Sequence, residues 1–328
     1  MEDVVIVDAA RSAVGRKKGA LGLVHPTDTL GQIIKKMLAR SSVSSESVDQ
    51  VIGGCINKLG AQGMNVARTA WLSHGGAERT PCITIDSQCG SSQEAVHLAT
   101  SLLRSGMASC VVACGVENMT RLPVGADAMG LDKNLGKPVA RCYFEQYEFT
   151  SQFEGAERMA AKYQITRADT DEFGLQSQER AKAAVDGGYF ESQIIPLEIP
   201  KFDDKGNRLE ETYIFKKDEI PRDTSLEALA GLKPVAREDG IHTAGTSSQI
   251  ADGASALLMM TESKAKELGV IPLAKIVDAE LVGCDPVLML EGPIPVTEKM
   301  LTKTGLDIND IDVFEINEAF ASVVISWA

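Results

Sequence analysis

Hydrophobic positions in the first 120 residues alternate between two periods. Short β-branched runs at 4–8 and 51–56 are typical of strands. Between them, at 29–38, apolar residues recur every three or four positions, which predicts an amphipathic helix. Strands that alternate with helices favour an α/β fold. The same pattern predicts a helix at 65–73, a strand at 82–86, a helix at 92–104 and a strand at 109–114.

The alternation is lost between residues 120 and 248. Two amphipathic helices are predicted there, at 155–163 and 170–186. A charged segment follows at 196–221, and its middle, KFDDKGNRLE, has the composition of a hairpin turn. We interpret 120–248 as an inserted loop domain, carried by an N-terminal half made of 1–119 and 249–273.

Regular patterning resumes in the last 80 residues. It predicts a strand at 256–260, a helix at 262–268, a long strand at 274–282, a helix at 295–302 and a strand at 313–316. The order helix, polar loop and strand at 30–56 recurs at 296–316, which indicates duplicated α/β halves of layered helices and mixed sheets. The C-terminal half, 274–328, ends soon after its first repeated strand, and we expect it to be incomplete.

Charge and composition exclude several classes of function. A formal net charge of −13 opposes binding to nucleic acid. No apolar run approaches the length of a membrane span, and the first residues lack the layout of a signal peptide, so we expect a cytoplasmic protein. Seven scattered cysteines, an odd number, indicate reduced thiols. Four dispersed histidines give no metal site, and none is predicted.

The segment around Cys89 carries candidate chemistry. A predicted strand, a tight polar turn and a helix follow one another, and Cys89 lies immediately before the helix. The positive end of a helix dipole favours a thiolate there. Gly90 permits close backbone approach, and neighbouring N–H groups could hold a developing oxyanion. No histidine is near in sequence, so a cysteine that only packs at a buried turn remains an open alternative.

Four motifs resemble those of the thiolase family, in the same order along the chain. QCGSSQEA, which contains Cys89, is similar to the nucleophile segment of thiolases. The opening VVIVDAARSAVGRKKGAL resembles the family's first strand and loop. GIHTAGTSSQIADGASALLM resembles the stretch that lines the thioester tunnel, and EINEAFA resembles the NEAFA motif. The segments DPVLMLEGPIP and SQFEG are closest to those of actinobacterial thiolases that degrade steroid side chains.

The resemblance implies a thiolase fold and a set of roles. Cys89 would be the acylated nucleophile, and Asn317 would hold a catalytic water in the oxyanion hole. Ser248 matches the serine beside the pantetheine arm, and Arg222 matches a basic residue near the adenine nucleotide. For Arg222, a solvated loop charge is an equal alternative.

The same resemblance implies a reaction and an assembly. The substrates would be acyl-CoA and coenzyme A, with no cofactor. The reaction would be thiolytic cleavage of a 3-oxoacyl-CoA, or the reverse condensation. A homodimer or homotetramer is expected, paired through the apolar strand near 109–116.

The chain also departs from the family. Thiolases carry a Gly-His-Pro motif and a cysteine in a glycine-rich loop after NEAFA, and neither follows here before residue 328. We therefore expect little turnover from this chain alone. A non-catalytic acyl-CoA-binding or scaffold subunit is the alternative function. His97 is expected to pack on its helix, and His242 either contacts ligand or is a loop residue without a role in catalysis.

Overall fold

The computed structural model describes residues 2–129 and 136–328. Its strands, in chain order, are β1 Val4–Arg11, β2 Gly15–Arg16, β3 Gln50–Gly54, β4 Cys82–Ile85, β5 Cys110–Asn118, β6 Leu197–Phe202, β7 Arg208–Phe215, β8 Ala251–Thr261 and β9 Ala274–Lys275. The α-helices are α1 Pro26–Arg40, α2 Val66–Ser73, α3 Ser91–Ser105, α4 Ala126–Met129, α5 Tyr143–Gln146, α6 Gln152–Lys162, α7 Arg167–Asp186, α8 Leu226–Ala230, α9 Glu262–Leu268, α10 Pro293–Thr304 and α11 Ala321–Trp327. Within the described ranges, no helix is long and apolar enough to cross a membrane.

The described residues form two compact units. The first comprises Met1–Leu135, Phe190–Ile220 and Ile250–Val277, and the second comprises Gly136–Tyr189, Pro221–Gln249 and Asp278–Ala328. Residues of the inserted domain predicted at 120–248 thus belong to both units. Within that prediction, residues 130–135 lie outside the described ranges. The domain boundaries inferred from the sequence remain a prediction.

A mixed sheet forms the centre of the first unit. Its strand order is β4-β3-β5-β8-β1-β9, and β2 pairs with one end of β8. Strands β3, β4 and β5 are parallel, whereas β8 runs antiparallel to both β5 and β1. The α/β class predicted from the sequence is confirmed.

Both faces of this sheet are covered by helices. One face packs on α1 and α2, which contribute the fully buried Leu30, Ile33 and Trp71. The other face packs on α3 through Ala95 and Leu103. Because β5 is buried on both faces, its sequence CVVACGVEN is almost continuously apolar and does not alternate.

The β6–β7 hairpin belongs to the first unit and lies beside α1. Gln32 donates its side-chain amide to Glu198 O at 2.9 Å, and Lys36 donates to Pro196 O at 2.6 Å. The turn predicted in KFDDKGNRLE is confirmed. Asp203 closes it by accepting from the backbone N–H groups of Lys205 and Asn207.

In the second unit, α6, α10 and α11 pack around a small apolar cluster. Ala156 and Met159 of α6 are fully buried there, and Phe320 and Val323 are nearly so. Phe320 immediately precedes α11, so the EINEAFA motif ends inside this cluster.

Three predictions about strands are wrong. The strand expected at 274–282 is only Ala274–Lys275, and 313–316 forms no strand, with Val313 81% exposed. Strands persist only where a neighbour supplies backbone hydrogen bonds. β1 pairs with the first segment only at Ala274 and Lys275, and 313–316 has no paired strand among the described residues. The strand near 109–116 is not an edge either, because β3 and β8 flank β5. Subunit pairing through that strand is therefore excluded.

Candidate active site

The turn that carries Cys89 lies at the carboxyl ends of three parallel strands. It joins β4, which ends at Ile85, to α3, which begins at Ser91. In α/β proteins the space beyond the carboxyl ends of parallel strands is the usual place for a ligand. Cys89 is exposed there, so the alternative of a thiol packed in a buried turn is wrong.

Side-chain hydrogen bonds hold this turn in one conformation. The Asp86 carboxylate accepts from Gln88 N at 2.8 Å. The Ser91 hydroxyl accepts from Ser87 N at 2.9 Å and donates to Gln88 O at 2.5 Å. Gln88 has φ +49°, a left-handed conformation that is costly for a residue with a Cβ. Strain of this kind immediately before an exposed thiol is typical of functional sites.

Two glycines let the start of α3 lie directly on the sheet. Gly54 of β3 and Gly115 of β5 are register partners. A Cβ on Gly54 would collide with Ser92 N, and a Cβ on Gly115 would collide with Ser92 Oγ. The position of Cys89 therefore depends on the absence of side chains at two positions far from it in sequence.

The main-chain donors beside Cys89 are already used. Gly90 N donates to Ser87 O at 3.1 Å, and Ser91 N donates to Gln88 O at 3.0 Å. These two N–H groups are thus occupied by the turn itself, and the expectation that they hold an oxyanion is not supported. An oxyanion formed at Cys89 needs other donors.

Burial separates six of the seven thiols into two sets, with Cys82 between them. It raises the pKa of Cys55 and of Cys110 to about 12, and it raises the pKa of Cys114 further. The exposed thiols are Cys89, Cys142 and Cys284. Partial desolvation of the Cys284 sulfur raises its pKa as well.

In the second unit, the segment that contains Asn317 is fastened to the loop that contains Ser248. Ser248 N donates to Ala319 O at 2.8 Å, and Ala321 N donates to Thr246 O at 2.9 Å. The side chains of Asn317 and Ser248 are exposed and have no protein hydrogen-bond partner among the described residues. Both are thus available to a ligand.

Arg222 is exposed and lies near the same loop. Its guanidinium donates to Gln249 Oε1 at 3.1 Å, and its backbone N–H donates to Gln178 Oε1 at 3.0 Å. Within 2–129 and 136–328 no carboxylate lies at ion-pair distance from it. Its charge is therefore free to meet an anionic ligand.

Sequence reasoning missed a buried polar group in the second unit. Glu157 is 3% exposed, and His242 and Ser322 are fully buried. Contact between His242 and a ligand is therefore excluded. The signal was present in α6, where Glu157 stands beside Ala156 on an otherwise apolar face. A buried carboxylate requires polar partners, so a glutamate on an apolar helix face indicates that such partners are buried beside it.

The structure therefore distributes the predicted site residues over both units. Cys89 belongs to the first, and Asn317, Ser248 and Arg222 belong to the second. Within the second unit, the Asn317 and Ser248 segments are joined by direct backbone hydrogen bonds.

The protein is thus an α/β protein in which an exposed cysteine lies in the turn between a parallel strand and a helix. This turn is at the carboxyl ends of the parallel strands, where ligands usually bind. The sequence profile of the thiolase N-terminal domain matches residues 4–263, and that of the thiolase C-terminal domain matches residues 270–328. The chain belongs to the thiolase family, and it is an enzyme of the acyltransferase class.

Individual relatives agree with this assignment. A steroid 3-ketoacyl-CoA thiolase of Mycobacterium tuberculosis is 41% identical and covers 100% of this chain, which spans 79% of that protein. An acetyl-CoA acetyltransferase of Allochromatium vinosum is 38% identical over 99% of this chain and 82% of its own length. The crystal structure of the Bacillus anthracis acetyl-CoA acetyltransferase superposes with a TM-score of 0.88 at 36% identity, covering 100% of this chain and 82% of that one.

Proposed function

We propose that this protein transfers acyl groups between 3-oxoacyl-CoA and coenzyme A through a thioester on Cys89. The Cys89 thiolate attacks the 3-keto carbon, and the bond between C2 and C3 breaks. The departing enolate takes up a proton and leaves as acetyl-CoA. The thiolate of a second coenzyme A then attacks the acyl-enzyme, which releases the shortened acyl-CoA and regenerates the Cys89 thiolate. Coenzyme A is thus a substrate of the reaction.

This proposal rests on the exposed, strained turn at Cys89. A covalent intermediate requires a thiol that substrate can reach, and Cys89 is exposed at the ligand edge of the sheet. Since the Gly90 and Ser91 N–H groups are occupied, we assign the oxyanion to a water held by Asn317. We assign the pantetheine arm to Ser248, and we assign the nucleotide to Arg222, whose planar fork suits a phosphate.

The direct test is acylation of the purified protein by acetoacetyl-CoA. We expect intact-mass spectrometry to detect one added acyl group and peptide mapping to place it on Cys89. Cys89→Ser should abolish the adduct, and Cys142→Ser, which removes another exposed thiol, should leave it unchanged. Acylation of Cys142 instead would refute the role of Cys89. Binding of acyl-CoA without any adduct would favour the non-catalytic subunit.

We propose further that the protein works as a homodimer or a homotetramer in the cytoplasm. β4 is an edge strand of the sheet and pairs only with β3 among the described residues, so its outer edge is open to a second copy. The seven cysteines are all free, which supports a reducing compartment.

A further inference from the structure

A buried network of polar contacts joins three distant parts of the second unit. His242 Nε2 lies 2.9 Å from Ser322 Oγ, and His242 Nδ1 lies 3.3 Å from Glu157 Oε1. The Glu157 carboxylate also accepts from Ile241 N at 2.9 Å and from His242 N at 3.0 Å. Residues of α6, the loop before β8 and α11 thus share one network, which we name the Glu157–His242–Ser322 relay.

The arrangement resembles a serine nucleophile, a histidine base and an orienting carboxylate. Burial rules out that chemistry, because a nucleophile must reach its substrate and Ser322 has no exposed surface. Burial also lowers the pKa of His242, which outweighs the opposite effect of Glu157, and so the ring is neutral near pH 7. Nδ1 of the neutral ring faces the Glu157 carboxylate at 3.3 Å without forming a hydrogen bond, and Nε2 shares a hydrogen bond with the Ser322 hydroxyl.

The relay lies against the segments that carry the proposed ligand-binding groups. Ser322 follows Asn317 by five residues, and His242 precedes Ser248 by six. The ring of His242 packs edge-on against Phe320, with centroids 5.3 Å apart. Residues 246–248 and 319–321 are joined by backbone hydrogen bonds in the same place. The relay therefore fixes the two segments at their buried ends, while Asn317 and Ser248 stay exposed.

We propose that Glu157, His242 and Ser322 are positioning residues for acyl transfer. They hold the Asn317 and Ser248 segments in the relative placement that the transition state needs. Small misplacements of catalytic groups reduce rates by up to about 100-fold. This inference rests on the proposed function, since it assigns the relay to the reaction at Cys89.

Ser322→Ala tests the relay, because it removes the hydroxyl and leaves the packing of α11 intact. Ser326→Ala is the matched control, since the Ser326 hydroxyl donates only to Val323 O in the same helix. We expect Ser322→Ala to slow single-turnover acylation of Cys89 by about tenfold. The dissociation constant for coenzyme A and the rate of iodoacetamide alkylation at Cys89 should change less than twofold, because alkylation forms no oxyanion. Ser326→Ala should match the unmodified protein in all three measurements.

Two further measurements separate positioning from plain stability. Ser322→Thr keeps the hydroxyl, and we expect it to restore most of the acylation rate. The ¹⁵N resonance of His242 Nε2 should move in Ser322→Ala and stay in place in Ser326→Ala, independently of any activity. Equal acylation rates in Ser322→Ala and Ser326→Ala, with the unmodified protein active, would overturn the relay alone. Absence of acylation in the unmodified protein would overturn both this inference and the proposed function.

Discussion

At the scale of single residues, the partly buried ion pair between Arg11 and Asp218 joins β1 to the segment after the hairpin. Arg11 donates to both carboxylate oxygens, at 2.8 and 3.0 Å, and Val14 N donates to Asp218 Oδ1 at 2.7 Å. Burial alone would raise the pKa of Asp218. The two donors outweigh burial, and the pKa of Asp218 is lowered. The ionised form therefore stabilises the folded state.

We predict that Asp218→Asn destabilises the protein by about 2 kcal/mol at pH 7, the usual size of a lost charged hydrogen bond. Because the folded-state pKa is depressed, this contribution is complete above the unfolded value of about 3.9 and disappears as the pH falls through the folded value. Urea unfolding at pH 7, 5 and 3.5 measures it. Asp204→Asn, in the exposed hairpin turn, should have no such effect. A difference between Asp218→Asn and the native protein that stays constant down to pH 3 would contradict the assignment.

At the scale of elements, the close approach of α3 to the sheet predicts the effect of a single methyl group. Gly54→Ala forces Cβ against a backbone nitrogen that cannot rotate away. We expect a loss of about 1–3 kcal/mol, together with slower alkylation of Cys89, as α3 is displaced. Gly283→Ala is the control, since no atom lies within 4 Å of its Cβ. Thermal unfolding and timed labelling with iodoacetamide give both quantities. An equal loss of stability in Gly54→Ala and Gly283→Ala would contradict a collision with α3 as the cause.

Helices and turns that depend only on residues close to one another in sequence were predictable from the sequence. The period of Leu30, Ile33 and Met37 predicted α1, and the spacing of polar turns predicted the hairpin. The strands expected at 274–282 and 313–316 fail because a strand depends on a neighbour, and no local pattern reveals whether one is present. Sequence patterning also failed for the central place of β5, since an apolar run indicates burial without giving an order of strands.

The residues of the candidate site divide in the same way, into those that a local motif indicates and those that meet only in the folded chain. Cys89, Asn317, Ser248 and Arg222 were predicted from motifs, and all four are exposed, while their roles stay predictions. The buried partners Glu157, His242 and Ser322 escaped notice because they are 80 or more residues apart and meet only in the folded chain.

At the scale of the whole molecule, the open edge of β4 predicts self-association. Ile83 is 37% exposed at this edge, and a lysine at an edge strand opposes pairing with another strand. We expect the protein to sediment as a dimer or tetramer at micromolar concentration and Ile83→Lys to shift it towards the monomer. Ile271→Lys, which alters a residue 85% exposed outside the strands, should leave the mass unchanged. A protein that is already monomeric would refute the assembly, and loss of assembly in Ile271→Lys alone would place the interface elsewhere.

The central position of β8 has a consequence for synthesis of the chain on the ribosome. β8 lies between β5 and β1 and pairs with both, so nothing links these two strands in the sheet until residues 251–261 have been made. The stretch from 119 to 250 must be translated in between, which takes roughly ten seconds at about 5–20 residues per second. During that interval the nascent chain exposes one apolar edge of β5 and the whole of β1. We infer that newly made protein depends on shielding by a chaperone over this interval, and that slowing translation before β8 would increase its aggregation.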